Sequence, residues 1–191
     1  MNSLEAGSYA FGPGDGQLLV KVFREGVAAR MGHDLAFEVR DWSAKAFFDP
    51  SDLGSSSLEA TASVASFSIV EAIGGAKALT RGDRADIKRN IEEKILDARR
   101  FPNVSLRTTA AAPNGTGMRV SADLTIGGAT RPVDIVLTLT DGRARGVMTV
   151  VQSRWGIKPF SAFMGALKVR DAVEVILDVP LPSADWAAVD A

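Results

Sequence analysis

The single histidine, His33, is the residue through which most acid–base chemistry at neutral pH would have to pass. The chain has no cysteine, so a small hydrolase or isomerase built on nucleophilic or general-base chemistry needs this imidazole. Asp34 is its acidic neighbour, but consecutive side chains of an extended strand point to opposite faces, so Asp34 cannot be assumed to orient the ring. We favour a hydrogen-bonded histidine at the end of a strand, and a catalytic base is the alternative.

Carboxylates are the other groups that could do chemistry. Asp83 and Asp86 stand three residues apart at the start of a predicted helix. Paired carboxylates in acid–base catalysis face each other across a cleft at about 5 to 10 Å, whereas acids at a helix start are explained by capping and by the helix dipole. With one histidine and no cysteine, a metal ion would need mainly carboxylate ligands, and no loop has EF-hand spacing. We predict no catalytic residue, no metal site and no required cofactor.

The charge and hydropathy of the chain exclude other classes of partner. Lys and Arg nearly balance Asp and Glu, and the formal net charge of −1 gives no long-range field for nucleic acid. No segment approaches the roughly 20 apolar residues of a membrane-spanning helix, and residues 1–16 lack the features of a secretory signal. We predict a cytoplasmic protein with no transmembrane segment and no nucleic-acid partner.

Strands must form most of this chain, because apolar and polar residues alternate over long stretches. Between residues 117 and 180, alternate positions are apolar, with Arg119, Asp123 and similar polar residues between them. Strands this long and regular belong to a sheet that closes on itself or packs on another sheet. Around Arg40-Asp41 the alternation shifts by one residue, which predicts a bulge or a bend.

One helix interrupts the strands. Ile87, Ile91 and Ile95 recur every four residues, which is the spacing of one helix face. We predict that Asp83 caps this helix and that it ends near Arg100, because the proline that follows cannot continue it. A single helix between two blocks of antiparallel strands is an insertion that covers the sheet or plugs an open end.

The pattern as a whole predicts one domain. A length of 191 residues fits a single all-β domain. Eight to ten strands in mostly neighbour-to-neighbour order favour an up-and-down barrel over a Greek-key sandwich. We predict an N-terminal tail over residues 1–16, a barrel over residues 17–182 and a C-terminal tail over residues 183–191.

Several short stretches follow one another in a characteristic order. They are Gly32-His33-Asp34-Leu35, Phe48-Asp49-Pro50, Asp83-Arg84-Ala85-Asp86-Ile87, Ile95-Leu96, Phe101-Pro102-Asn103-Val104, the segment 124–133 and Trp155-Gly156-Ile157. No single stretch is diagnostic. The ordered set spans roughly residues 17 to 180 and resembles the YceI-like family of lipocalin-like, polyisoprenoid-binding proteins.

The resemblance implies an all-β, lipocalin-like fold, an extended eight-stranded antiparallel β-barrel with one α-helix in an insertion. It also implies that the apolar interior holds a long isoprenoid or other amphiphilic lipid, such as a quinone-like molecule, and that the protein is a homodimer. The family has no shared catalytic residues to carry over. Many members have a secretory signal, which this sequence does not show, so the resemblance does not imply a periplasmic role here.

Small inward residues bear on whether the barrel is hollow. An eight-stranded barrel has the size at which bulky side chains fill the interior and smaller ones leave room for one ligand. Ala44, Ala46, Ala60, Ala62 and Ala122 belong to the inward rows. They leave room for a lipid, or they face the helix and an aromatic segment in a filled barrel that acts as a protein-interaction module.

The predicted lipid contacts come from the inward rows and from the aromatic connection between Gln152 and Gly165. This connection either rims the mouth of the barrel or packs in the core or a dimer contact. His33, Arg154 and Lys158 are predicted headgroup contacts. The predicted lipid-contacting residues are Phe37, Val39, Trp42, Leu58, Ala60, Ala62, Val64, Leu106, Val120, Leu124, Val133, Ile135, Leu137, Trp155, Phe160, Phe163, Leu167 and Val169.

Overall fold

A computed structural model describes residues 6–115 and 117–181 of the chain. The strands are β1 (Gly7–Phe11), β2 (Gln17–Val22), β3 (Arg24–Glu25), β4 (His33–Val39), β5 (Trp42–Phe48), β6 (Ser57–Ser63), β7 (Phe67–Gly74), β8 (Asn103–Asn114), β9 (Gly117–Ile126), β10 (Ala129–Thr140), β11 (Arg143–Val151), β12 (Ser161–Ala162), β13 (Leu167–Val169) and β14 (Ala172–Pro180). The helices are α1 (Arg81–Asn90), a π-helical segment (Ile91–Ile95) and the 3₁₀ helices Ala29–Met31, Leu53–Ser55, Val64–Ser66, Gln152–Trp155 and Phe163–Gly165.

Eleven strands form one antiparallel sheet in the order β1-β5-β6-β8-β9-β10-β11-β14-β2-β4-β7. The two ends of this order are connected along the chain. Strand β4 at one end continues into β5 near the other, and β6 continues into β7 in the same way. Strand β4 pairs with β2 and β7, whereas β5 pairs with β1 and β6. The segments β4–β5 and β6–β7 therefore each act as one long bent strand. Together with β2, β8, β9, β10, β11 and β14 they make the eight long strands of a curled sheet, which we call the eight staves. This confirms the predicted all-β, lipocalin-like antiparallel fold with one helix.

The hairpin formed by the segments β4–β5 and β6–β7 bends where the sequence pattern shifts. Val39 and Trp42 are both buried, so the two residues between them, Arg40 and Asp41, move the inward phase by one position. The backbone N–H of Arg40 donates to the carbonyl of Ser66, and the carbonyl of Asp41 accepts from the N–H of Ser63 at 2.9 Å. The predicted bend is thus present, and both strands of the hairpin turn at the same height.

Two regions differ from the sequence-based prediction. The unbroken alternation from Leu167 to Val179 predicts one continuous last strand, but β13 pairs with β3 in a small separate sheet and β14 starts only at Ala172. The chain returns to the large sheet only after β13. Between the two strands, the backbone N–H of Arg170 donates to the carbonyl of Phe23, next to β3. The other region is β1, which lies in the predicted N-terminal tail and pairs with β5. The predicted C-terminal tail, residues 183–191, lies outside the described residues.

The helix starts and ends earlier than predicted. Its N-cap is Thr80, and Asp83 is the third helical residue, where it completes a capping box with Thr80. After Asn90 the helix widens into the π-helical segment Ile91–Ile95, and it ends there and not near Arg100. Asp97 adopts a positive φ of 47°, which turns the chain out of the helical path.

Helix α1 covers the free edge of strand β7. A guanidinium nitrogen of Arg84 donates to the carbonyl of Ile69 at 3.3 Å, and the ammonium of Lys88 donates to the carbonyls of Phe67 and Ala65. Exposed carbonyls on an edge strand are a template for unwanted pairing with another chain. The insertion therefore provides hydrogen-bond donors for carbonyls at the edge of the sheet, and it also covers one end of the barrel.

We expect Thr80→Ala to weaken the fold in a pH-dependent way. Loss of an N-cap hydroxyl costs about 1 kcal/mol of unfolding free energy at neutral pH. The backbone N–H of Thr80, and then its hydroxyl, hold the pKa of Asp83 below its ordinary value of 3.8. A carboxyl with a lowered folded-state pKa stabilises the fold above pH 3.8, and this contribution is lost as the pH falls through the folded-state pKa.

Urea unfolding of wild-type and Thr80→Ala protein at neutral pH and in acid checks this expectation. The difference between the two proteins should shrink once Asp83 is protonated. An equal difference at both pH values would show that the hydroxyl stabilises the fold without its bond to Asp83.

Two groups of buried side chains fill the two ends of the barrel. The helix-side cluster consists of Ala122, Leu124, Ile126, Val133, Met148, Val150, Trp155 and Val173, and Leu96 packs against it. The opposite cluster consists of Val39, Trp42, Ala44 and Val179, and Phe11 packs against it. Phe11 explains why β1 is ordered, since its ring adds to this second cluster.

Candidate functional site

The interior of the barrel is open because small residues face inward at its centre. Ala44 lies opposite Ala60 across the β5–β6 pair, and Ala62 lies opposite Trp42. Gly146 adds a further small gap. A Cβ would fit there in ordinary contact with Ile135 and Leu137, and the glycine leaves that space empty. Side chains this short leave the space in front of them unfilled.

These gaps form a cavity of about 260 Å³. This volume is more than ten times what one water molecule needs, and it lies just below the range of about 300–1,000 Å³ that is typical of ligand pockets. All eight staves and the π-helical segment contribute to its wall. The described lining residues are Leu18, Val20, Val22, Phe37, Val39, Trp42, Ser43, Ala44, Leu58, Ala60, Thr61, Ala62, Phe67, Ile91, Ile95, Leu96, Val104, Ser105, Leu106, Val120, Leu124, Ile126, Ile135, Leu137, Gly146, Met148, Val150, Gln152, Ile157, Val173, Val175 and Leu177.

The wall is apolar. None of the described lining residues carries a charge. Ser43, Thr61 and Ser105 stand in register with one another on neighbouring strands, and their exposed side chains belong to the outer face. The side-chain amide of Gln152 donates to the carbonyl of Arg170 at 3.0 Å. An occupant of this cavity therefore meets hydrocarbon on nearly every side.

Eleven of the eighteen predicted lipid contacts lie together in this wall. That these residues touch a lipid stays a prediction. The eleven are Phe37, Val39, Trp42, Leu58, Ala60, Ala62, Leu106, Val120, Leu124, Ile135 and Leu137.

The other seven predicted contacts lie elsewhere. Val64, Val133 and Trp155 are buried, but they do not line the cavity. Leu167 and Val169 belong to the small sheet, and Phe160 and Phe163 flank its strand β12 with exposed rings. The aromatic connection therefore divides into a buried start around Trp155 and an exposed end.

Sequence reasoning missed three strands of the wall and the helix. Strands β2, β11 and β14 supply nine lining residues, including Val20, Met148 and Val175, and the alternation of β2 and β14 was visible in the sequence. Ile91 and Ile95 enter the cavity from the helix. Their spacing identified them as one helix face, but periodicity does not tell what such a face packs against.

The imidazole of His33 lies outside the cavity and has a structural contact. Its Nε2 is 3.0 Å from the carbonyl oxygen of Lys77, and the ring lies over Gly75, where a Cβ would clash with it. Asp34 does not orient it, because its Oδ1 accepts from the backbone N–H of Arg24 at 2.8 Å. The structure thus places His33 at the start of β4 as a hydrogen-bonded residue.

We expect His33→Gln to leave ligand retention unchanged. The ring holds the loop at Lys77 and lies away from the cavity wall, so its loss costs less than about 1.5 kcal/mol of unfolding free energy. The ratio of bound apolar ligand to protein after purification is the measurement. A clear fall in that ratio, with the fold intact, would place His33 in the binding machinery after all.

The predicted basic headgroup contacts also lie on the outer surface. The guanidinium of Arg154 stacks over the Trp155 ring at 5.6 Å and donates to the carbonyl of Pro132 at 3.3 Å. Lys158 is exposed and does not line the cavity. A headgroup role for His33, Arg154 or Lys158 stays a prediction that the described geometry does not support.

A family model of the YceI-like domain matches residues 23–181. The chain belongs to the YceI-like domain family. The match starts at Phe23, just after β2 ends, and runs just past the end of β14, so it covers the helical insertion and all of the barrel except β2. No curated protein matches the sequence.

Solved structures share the fold of this YceI-like domain at low sequence identity. BcnA of Burkholderia cenocepacia has a TM-score of 0.61 and 18% identity, over 86% of this chain and 94% of that one. The YceI protein of Campylobacter jejuni has a TM-score of 0.53 and 13% identity, over 74% and 80% of the two chains. A polyisoprenoid-binding domain from Saccharophagus degradans, implicated in plant cell wall breakdown, has a TM-score of 0.51 and 8% identity, over 93% and 100%.

One residue of the cavity wall in this YceI-like domain carries a buried polar group without a partner in the described part of the chain. Trp42 is 5% exposed and lines the cavity, and its indole Nε1 has no hydrogen-bond partner among the described residues. By contrast, Nε1 of Trp155 donates to the carbonyl of Leu124 at 3.0 Å. An unpaired buried donor costs free energy. A ligand with a hydrogen-bond acceptor next to Trp42 would remove this cost and bind more tightly.

The YceI-like domain offers no alternative site with metal-binding chemistry in the described ranges. Within residues 6–115 and 117–181, no three His, Asp or Glu side chains come together as a candidate metal site. No helix in that part of the chain is long and apolar enough to span a membrane.

Proposed function

We propose that this YceI-like domain binds one long isoprenoid or similar amphiphilic lipid non-covalently in the barrel cavity and does no chemistry on it. The observation that carries the proposal is the cavity itself, which all eight staves line and whose described lining residues include no charge. The family membership supports it, as does the fold shared with a polyisoprenoid-binding domain.

Such a site suits a hydrocarbon chain. Burial of apolar surface stabilises a complex by about 25 cal/mol per Å², or about 0.8 kcal/mol for each methylene, and it needs no directional partner. A ligand with an oxygen atom near Trp42 would also supply the acceptor that its indole N–H lacks. These two terms favour a mainly hydrocarbon molecule with a neutral oxygen over a charged one.

Extraction of the purified protein with organic solvent, followed by mass spectrometry of the extract, tests the proposal. A near-stoichiometric amount of one class of apolar lipid is expected, because a tightly held ligand co-purifies from the host. An extract without such a lipid, from protein that also fails to bind added polyprenyl alcohol, would overturn it.

The homodimer and the cytoplasmic compartment are part of the same proposal. The resemblance to the family is what supports the dimer, and the compartment is an expectation that rests on the sequence alone. Light scattering of the purified protein tests the first, and fractionation of cells that make the full-length protein tests the second.

A further inference from the structure

A second apolar feature lies outside the barrel, where two chain segments meet. We name it the apolar tip and define it as Val27, Met31, Phe163 and Met164. Val27 is 93% exposed, Phe163 is 66% exposed, and Met164 is fully exposed. Single exposed apolar side chains are common on protein surfaces, whereas a group of them on one part of the surface marks an interaction site.

The fold holds these two segments side by side. The backbone N–H of Ala28 donates to the carbonyl of Ala166 at 2.9 Å. Strands β3 and β13 pair directly, with Glu25 opposite Lys168. Gly26 packs so closely on the backbone of Ala166 that a Cβ there would clash. The tip is therefore a built feature of the small sheet.

The backbone of the tip is strained at its two largest side chains. Phe163 and Met164 have φ values of 50° and 52°, in the left-handed region that favours Gly and Asn. Two consecutive residues of this kind are unusual, and such strain concentrates at functional sites. Asn at these positions would fit the turn better, so stability does not explain why a Phe and a Met are there.

The two segments that carry the tip have an excess of exposed positive charge. The two segments, residues 24–32 and 158–170, carry four exposed cations, Arg30, Lys158, Lys168 and Arg170, against one exposed anion, Glu25. The chain as a whole has a net charge of −1. The excess of positive charge is therefore local to this side of the molecule.

We propose that the apolar tip docks on an anionic lipid surface. Apolar side chains that insert at the boundary of headgroups and acyl chains, with Lys and Arg against anionic headgroups, are the usual construction of a peripheral membrane contact. A protein interface of standard size uses 20–30 residues a side, and four protruding side chains do not make such a face. The surface chemistry thus favours a bilayer over a protein partner.

The position of the tip relates it to the cavity. Ile157 lines the cavity, and six residues later along the same connection Phe163 stands in the tip. Docking would bring the helix-side end of the barrel close to a bilayer, from which an apolar ligand could be exchanged. The docking itself goes beyond the proposed lipid binding and does not require an occupied cavity.

Co-sedimentation with vesicles tests the proposal, using pure phosphatidylcholine and phosphatidylcholine mixed with phosphatidylglycerol. The wild-type protein should bind the anionic vesicles more strongly, and high salt should weaken this binding. The double variant Phe163→Asn with Met164→Asn should lower the partition coefficient by more than about tenfold. Its thermal midpoint should equal or exceed that of the wild type, because Asn tolerates the left-handed backbone.

Phe47→Ser is the matched control, because Phe47 is 40% exposed on β5 and belongs to neither the tip nor the cavity wall. It should bind vesicles as the wild type does, and so should a variant with a filled cavity, which separates docking from ligand binding. Wild-type protein that ignores anionic vesicles, or a double variant that binds them equally well, would overturn the proposal. A double variant that becomes monomeric in light scattering without losing vesicle binding would instead assign the tip to a second copy of the chain.

Discussion

Ala60→Phe is expected to empty the barrel of ligand and leave the fold intact. Ala60 lies on β6 between Ala44 and Leu106, and all three line the cavity. A phenyl ring there occupies the space where an apolar ligand would lie, and it packs against existing hydrocarbon. We expect bound lipid to fall at least about tenfold, and unfolding free energy to change by less than about 1.5 kcal/mol.

The matched control is Thr61→Phe, the next residue along the same strand. Thr61 has an exposed side chain on the outer face, so the same ring is added outside the barrel. This variant should keep its lipid. The account fails if Ala60→Phe retains a wild-type amount of lipid, or if Thr61→Phe loses as much as Ala60→Phe does.

Trp155→Ala is expected to have the largest effect on stability. Trp155 is 6% exposed, packs in the helix-side cluster and donates to the carbonyl of Leu124. Truncation of a buried tryptophan leaves a cavity and costs about 3–5 kcal/mol. Trp155→Phe keeps most of the volume and loses mainly the hydrogen bond, so we expect a cost of about 1–2 kcal/mol.

Denaturant unfolding of both variants measures these costs. The folded fraction of Trp155→Phe should carry as much lipid as the wild type, because the indole does not line the cavity. Equal stability of Trp155→Ala and the wild type would contradict its place in the core. A Trp155→Phe protein that folds normally but loses its lipid would instead support the prediction that this residue rims the mouth of the barrel and contacts the lipid.

Alternation predicted the barrel wall well because it reports directly on burial. The rows of β9 and β10 face inward as their sequence pattern indicated, and the shift at Arg40-Asp41 located the bend. The eight staves followed from the same signal together with the family resemblance. On these strands, one buried face was enough to predict which side chains share the interior.

Other elements could not be predicted because their partners are distant in sequence. Leu167 and Val169 keep the same phase as Val173 and Val175, so no break is visible at Arg170-Asp171, although the chain leaves the barrel there. The role of Trp155 depends on the carbonyl of Leu124, which lies 31 residues away. Local patterns do not contain such contacts.

The helix shows a similar division between local and distant information. Its existence and apolar face followed from the four-residue spacing, but Thr80 took the N-cap position that Asp83 was expected to hold. Both residue types are good caps, and the capping box uses both, with Thr80 at the N-cap and Asp83 as the third helical residue. Only the structure showed that the isoleucines at its end close the cavity.

Binding of a hydrocarbon chain in the cavity is best tested by titration of delipidated protein with polyprenyl alcohols of increasing chain length, followed by native mass spectrometry. We expect saturable one-to-one complexes with wild-type protein, an affinity that rises with chain length until the cavity is full, and weak binding by Ala60→Phe. Absence of a one-to-one complex at every chain length, or equal binding by wild-type and Ala60→Phe protein, would contradict this expectation.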